Sequence, residues 1–231
     1  MAKKTTLSPF YPARAGAVAG AAAWAAYEYL LHPWYTRWGA TEEELRTPRP
    51  GDELLPDPKI NATHAVTVRA PAEAVWPWLV QLGQGRGGFY SFEWIENMLR
   101  ADLQNTDRIL PEYQTLQVGD EIPLAKGGPG VPVAILEPRK ALVLHGDTRT
   151  GEPFPNMKPG DYLAVSWGFY LDERPDGTTR LVERWLSDWN DSLQNRVFYR
   201  LFLEPGAFIM ERKMLLGIKE RAERLASLGA A

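Results

Sequence analysis

The chain has 231 residues, a formal charge of −3 and 45% hydrophobic residues, enough for one domain with a sizeable core plus an extension and too apolar for wholesale disorder. A slightly acidic chain with no basic stripe lacks the electrostatic footprint of a nucleic-acid binder. Without cysteine there is no disulfide framework and no thiolate chemistry, and three separated histidines argue against a zinc site.

At the N-terminus, Lys3, Lys4 and Arg14 precede "AGAVAGAAAWAAYEYLL", Ala15 to Leu31. Two readings stay open. The run is a candidate signal peptide or membrane anchor, with Gly16 and Gly20 in the G-x-x-x-G spacing that lets helices approach closely in a membrane. Alternatively it is an Ala-rich helix lying on the domain, because it falls short of the roughly 20 residues a spanning helix needs and contains Glu28. If it spans, the basic residues before it favour a cytoplasmic N-terminus. The run leaves the localisation unknown, either cytoplasmic or membrane-associated through this helix. Thr41 and Glu44 form a capping-box pattern for a short helix. The stretch "TPRPGDELLPDPK", Thr47 to Lys59, is rich in proline and charge and reads as an extended linker apart from any packed element. Residues 1–60 are thus a helical extension and linker, and residues 61–228 the main domain.

"HAVTVR", His64 to Arg69, alternates like a strand. Pro71 suits a first helical position; Val75, Trp78, Leu79 and Leu82 then mark one helical face, bent at Pro77 and stopped at Gly83. Gly83, Gly85 and Gly88 match G-x-G-x-x-G, but a dinucleotide fingerprint must follow a strand and open a helix. Here the glycines follow a helix, so they shape a tight connection. Ser91 caps a second helix to about Leu103, with Trp94, Ile95, Met98 and Leu99 on one face. Strands are expected at Glu121–Leu124, Val131–Glu137 and Ala141–His145. A hairpin then joins Tyr162–Asp172 to Thr179–Ser187 through the Asp176-Gly177 turn. In its first arm Leu163, Val165, Trp167, Phe169 and Leu171 share a face. Ala164, Ser166, Gly168 and Tyr170 form the other, which is small enough to leave room for something. Asp191 and Gln194 begin a helix carrying Leu193, Val197 and Leu201, interrupted at Pro205-Gly206. A final helix, Ala207 to Leu228, turns Met210, Met214, Ile218, Ala222 and Leu225 inward.

Helices grouped near the ends of a run of hairpin-connected strands give an α+β fold. This order, with "VWPWLVQLGQGRGGFYSFEWIEN" (Val75 to Asn97), "VSWGFYL" (Val165 to Leu171) and "FIMERKMLLGIKERAE" (Phe208 to Glu223), resembles the helix-grip or SRPBCC superfamily. That superfamily includes START lipid-binding domains and polyketide cyclase/dehydrase-like proteins. The resemblance covers about Asn61 to Leu225. It implies a curved antiparallel sheet wrapped around the long C-terminal helix, with a cavity between them for a small apolar, lipid- or polyketide-like molecule. Members of the superfamily bind such molecules, and a minority catalyse cyclisation, dehydration or hydrolysis.

On that geometry the expected ligand-binding residues are Tyr90, Trp167, Tyr170, Arg184, Phe208, Met210 and Met214, although a methionine stripe at helical spacing is more often plain core. Arg86 reads as a structural residue of the glycine loop, and Tyr90 as either a pocket hydroxyl or packing at the mouth. Glu93 and Glu96 stand i,i+3 and read as a structural network or a solvated face rather than a catalytic pair. Glu183 and Arg184 are adjacent in a strand, so one must point inward and needs a partner; Arg184 is taken as the pocket candidate. His145 reads as a hydrogen-bonded structural residue. No catalytic constellation, metal site or cofactor is expected. The preferred function is a binding or carrier module for a small apolar molecule, with a cyclase- or dehydratase-type enzyme as the alternative. Convergence of two or more ionisable groups in the cavity discriminates the two, and a collapsed cavity with a purely structural role is the third reading.

Overall fold

The computed structural model describes residues 18, 20–98, 100–150, 157 and 160–229. The first part of the Ala-rich run, including Gly16, and the helical position assigned to Leu99 lie outside them. Six strands make one sheet: β1 (Ile60–Val68), β2 (Glu121–Pro123), β3 (Gly130–Glu137), β4 (Ala141–Asp147), β5 (Leu163–Glu173) and β6 (Thr179–Trp189). Their order is β1-β6-β5-β4-β3-β2, and every neighbouring pair is antiparallel. The helices are α1 (His32–Thr36), α2 (Glu42–Arg46), α3 (Ala72–Val80), α4 (Glu93–Met98), α5 (Leu193–Phe198) and α6 (Glu204–Gly229). This is the α+β helix-grip architecture: the sheet holds α6 on its inner face, and α3 and α4 follow the first strand.

Alternation along the strands divides the two faces. Val66, Val68, Leu142, Leu144, Phe169 and Leu181 point inward and pack with Leu79, Leu215 and Ile218 of α3 and α6 in the main core. Ala65, Val143, Tyr170 and Val182 point outward and form a second cluster. The helix-face residues Val75, Trp78, Leu79 and Leu82 are all buried, and Pro77 sits inside α3.

Three expectations change. Pro205-Gly206 does not interrupt the last helix. A π turn over Tyr199–Leu203 links α5 to α6, so the chain stays helical from Leu193 to Gly229. Pro205 is the second residue of α6, and the widened turn before it absorbs the missing backbone donor. Second, α4 ends at Met98, and its Trp94 and Met98 are 68% and 69% exposed. Arg100 and Asp102 adopt positive φ, and the Asn97 side chain clamps Leu103 through both its amide nitrogen and its oxygen. The chain therefore turns back before an apolar face can form, and the buried residue of α4 is Glu96.

Third, the Pro-rich segment is not apart from the packed elements; it lies on the outer face of the sheet. Gly51, with φ 94°, places an added Cβ only 2.6 Å from the Val143 Cγ1 atom. The Ser166 hydroxyl donates to the Gly51 carbonyl at 3.1 Å and the Tyr170 hydroxyl to the Pro50 carbonyl at 2.7 Å. The small outer face of β5 leaves room for this segment of backbone. Arg180 pairs with Glu44, whose α2 keeps the expected capping box, and Arg184 pairs with Asp52.

Among the described residues no helix is long and apolar enough to cross a membrane. The Ala-rich run is helical and exposed over residues 20–26. From Tyr27 onward it docks: the Tyr27 hydroxyl donates to the Arg200 carbonyl at 2.6 Å, and His32 lies 3.2 Å from Glu204. Replacing Gly51 with alanine is expected to cost about 1–3 kcal/mol, because a left-handed backbone and a filled contact coincide there. Urea denaturation of Gly51→Ala beside the parent checks this.

Candidate functional site

Between the inner face of β5 and β6 and the start of α6 lies an open cavity of about 440 Å³. Leu163, Val165 and Trp167 of β5 and Trp185 of β6 supply one wall; Ala207, Met210 and Met214 of α6 supply the facing wall. Phe89, Ala101 and Leu103 close one end from the connection between α3 and β2. The polar side chains in this lining are Ser91, Glu96 and Glu211.

Of the seven residues expected at a ligand, Trp167, Met210 and Met214 line the cavity. Tyr90 does not. Its hydroxyl donates to the Trp78 carbonyl at 3.1 Å and accepts from Gln81 at 2.9 Å, while its backbone, at φ 56°, takes the Asn105 side chain as acceptor. Burial raises its phenol pKa. A Cβ on Gly217 would come within 2.5 Å of the Tyr90 carbonyl, so this residue is where the glycine connection and α6 lock together. Tyr170 faces outward beneath Pro50, and Arg184 faces outward onto Thr63, Thr47, Asp52 and Glu44. Phe208 is buried among Trp34, Tyr35, Trp38 and His64, at ring distances of 5.4 to 6.3 Å. These four point away from the cavity because other partners hold them: residues around α3 and the following loop for Tyr90, and mainly residues before β1 for Tyr170, Arg184 and Phe208. Arg86 is structural, donating to the Val80 carbonyl and stacking on Tyr113 rather than pairing with a carboxylate. His145 faces outward, half-buried, with its Nδ1 unpartnered.

The inward member of the Glu183–Arg184 pair is Glu183. Its register partner across the sheet is His64 of β1, and the Nδ1 of that ring lies 2.8 Å from Glu183 Oε2. The other Glu183 oxygen accepts from the Trp167 indole at 2.6 Å. The His64 Nε2 lies 2.8 Å from the Tyr35 carbonyl, an atom that can only accept, so this nitrogen carries a proton. Glu211 of α6 faces the same group, with Oε2 3.4 Å from His64 Nδ1 and without a hydrogen bond. Burial, and then the neighbouring Glu183 charge, raise the Glu211 pKa well above the usual carboxylate range.

Glu96 sits at another part of the lining. Burial and the Glu93 charge push its pKa up to about 7, against a small opposing effect of Ser91, and its Oε2 has no partner. Glu93 is exposed and accepts from the Asn105 backbone, so the i,i+3 pair divides between solvent and cavity. The helical pattern places Glu211 with Arg212 and Lys213 on the outward surface of the last helix and favours neither Glu96 nor Glu183 as a site residue; the structure instead buries Glu211 in the cavity wall. The available signal was weak: Glu96 lies one helical turn from an exposed Glu93, and Glu211 is followed directly by Arg212 and Lys213, so neither stands out as a buried carboxyl.

The fold and site define a helix-grip protein whose apolar cavity is lined by two carboxyls, Glu96 and Glu211, with pKa values raised by burial. No protein-family model and no curated protein matches the chain. Among solved structures it is similar to the Zhui aromatase/cyclase of Streptomyces sp. R1128, at 14% identity over 71% of this chain and 93% of that one, TM-score 0.33. It is also similar to CalU16 of Micromonospora echinospora, at 15% identity over 74% and 89% of the two chains, TM-score 0.33. A third is the hypothetical protein jhp0584 of Helicobacter pylori, at 9% identity over 76% and 95%, TM-score 0.42. Likenesses at this distance carry no argument about activity.

A carboxyl whose folded pKa is raised favours the folded state most when neutral. The stability tied to Glu96 is thus fully present below its ordinary value of 4.5 and is lost as the pH rises through about 7. Glu96→Gln is therefore expected to melt at least about 2–4 °C higher than the parent at pH 8, the effect of roughly 1 kcal/mol in a domain of this size. The gap should close towards pH 4.5, as read by calorimetry.

Proposed function

We propose that the chain binds a small, largely apolar molecule in the cavity between the sheet and α6, with a polar group of that molecule turned towards Glu96 or Glu211. The observation that carries this reading is the lining itself: tryptophan, methionine and aliphatic walls around about 440 Å³, with few polar groups to orient a guest. Mostly apolar concavities with sparse polar points are what small-molecule sites look like. Met210 and Met214 suit guests of varied shape, since an unbranched thioether adapts its packing. The neutral probe 1-aminoanthracene is expected to bind with increased fluorescence. Ala207→Trp, which fills the space beside Met210, should weaken that binding by at least about tenfold while leaving the melting transition cooperative. Equal binding by both proteins would remove the cavity as the site.

A second reading, proton-transfer catalysis on a bound ketide-like or aromatic guest, is favoured by one specific feature. Two ionisable groups with different surroundings, Glu96 and Glu211, share the cavity wall. A carboxyl with a pKa pushed up to about 7 can both give and take a proton near neutrality. The reaction class this suits is proton exchange at a carbon next to a carbonyl. Deuterium uptake by 2-tetralone in heavy water, followed by NMR, is expected to run faster with the protein than without it and to fall to the background rate with Glu96→Gln. Equal rates with parent and variant would leave the binding reading alone.

A further inference from the structure

We propose that His64, Glu183 and Glu211 form a site for a divalent first-row transition-metal ion beside the cavity that Glu211 lines. Three elements contribute one ligand each: His64 from β1, Glu183 from β6 and Glu211 from α6. Their nearest donor atoms all lie within 4.8 Å of one another, with Nδ1 of His64 at 2.8 Å from Glu183 and 3.4 Å from Glu211. Metal bonds of about 2.0–2.2 Å place adjacent ligand atoms roughly 3–3.5 Å apart, so the ion needs no change of fold to fit between them.

The surroundings are those of a prepared ligand set. The His64 Nε2–H donates to the Tyr35 carbonyl, which fixes the ring and leaves Nδ1 as the coordinating atom. The Trp167 indole holds the far oxygen of Glu183, turning the near one towards His64. The independent observation is Glu211: the residue is 8% exposed, and its Oε2, aimed at His64, has no hydrogen-bond partner. An unpaired buried carboxyl oxygen costs stability unless something meets it. A cation meets it. One imidazole and two carboxylates suit Zn²⁺, Co²⁺, Mn²⁺ or Fe²⁺. Glu211 also lines the cavity, so the site adjoins the space where a guest would lie. The site does not depend on the identity or presence of that guest.

The test uses the full chain stripped with EDTA and dialysed against Zn²⁺ or Co²⁺ at pH 7.5. One equivalent is expected to bind, with an upward shift of the melting temperature. Glu211→Gln, which keeps the shape and removes the charge, is expected to bind more than about tenfold more weakly, and Glu183→Gln likewise. Zn²⁺ should also shift the His64 Nδ1 resonance in long-range ¹H–¹⁵N spectra of the parent protein. The chain has only three histidines, so His32→Gln and His145→Gln assign the signal. This readout stands even if a carboxylate variant fails to fold. No stoichiometric uptake of either ion would overturn the site. So would uptake that leaves the His64 resonance in place, or folded Glu211→Gln and Glu183→Gln that both bind like the parent. In those cases the three residues are a buried structural cluster only.

Discussion

Much of the structure depends on how β6 disposes of its charges. The strand lies between β1 and β5, is covered on both faces, and still carries Arg180, Glu183 and Arg184, all buried. A buried charge persists only with a partner, and a regular strand sends neighbours to opposite faces. Glu183 therefore commits the inner face to His64 and the Trp167 indole, and Arg180 and Arg184 commit the outer face to Glu44, Asp52 and the carbonyls around them. One strand thus orders both the polar end of the cavity and the segment that precedes the sheet.

The outer arrangement explains an otherwise wasteful feature of the sequence. A proline-rich, charged segment has little reason to pack, yet Pro50 and Gly51 cross a face built small at Ala164, Ser166 and Gly168 and take hydrogen bonds from Ser166 and Tyr170. Arginine suits this role because its planar fork of donors satisfies several carbonyl and carboxylate oxygens at once: Arg184 bonds to Thr63, Thr47, Asp52 and Glu44. The inner arrangement has the opposite character. It leaves carboxyl oxygens of Glu96 and Glu211 without partners beside an apolar space. Covering the outer face satisfies its charges internally, whereas the inner face keeps unmet polar groups where a small molecule or ion can reach them.

Several elements were legible without coordinates. The strands, the Asp176-Gly177 hairpin, the inward stripe of α3 and the shared face of Leu163 to Leu171 follow from local periodicity and turn chemistry, which tertiary packing did not override. The capping box at Thr41 and Glu44 formed as read. Periodicity failed where a short apolar pattern found no partner: Trp94 and Met98 face solvent because Asn97 and two left-handed residues turn the chain at once. The expectation that proline breaks a helix failed at Pro205, where a widened helical turn absorbed it. For the candidate site, alternation required exactly one of Glu183 and Arg184 to face inward, but it is symmetric and does not say which.

The sequence by itself determined the α+β class, the approximate positions of the strands and the alternation that separates the two faces. These are properties of residues a few positions apart, and side-chain periods of 2.0 and 3.6 express them. Only the tertiary structure decided that Glu183 points inward with His64 and Glu211, that Arg184 and Tyr170 hold the N-terminal segment, and that Tyr90 and Phe208 are packed away from the cavity. The glycine connection before Tyr90 proved a matter of fit, with Gly217 of α6 against the Tyr90 backbone. Each of these outcomes depends on which distant groups meet: His64 and Glu183 are 119 positions apart, and Arg184 and Asp52 are 132 apart. Burial makes such pairings obligatory without naming the partner, and the partner is what a linear pattern does not contain.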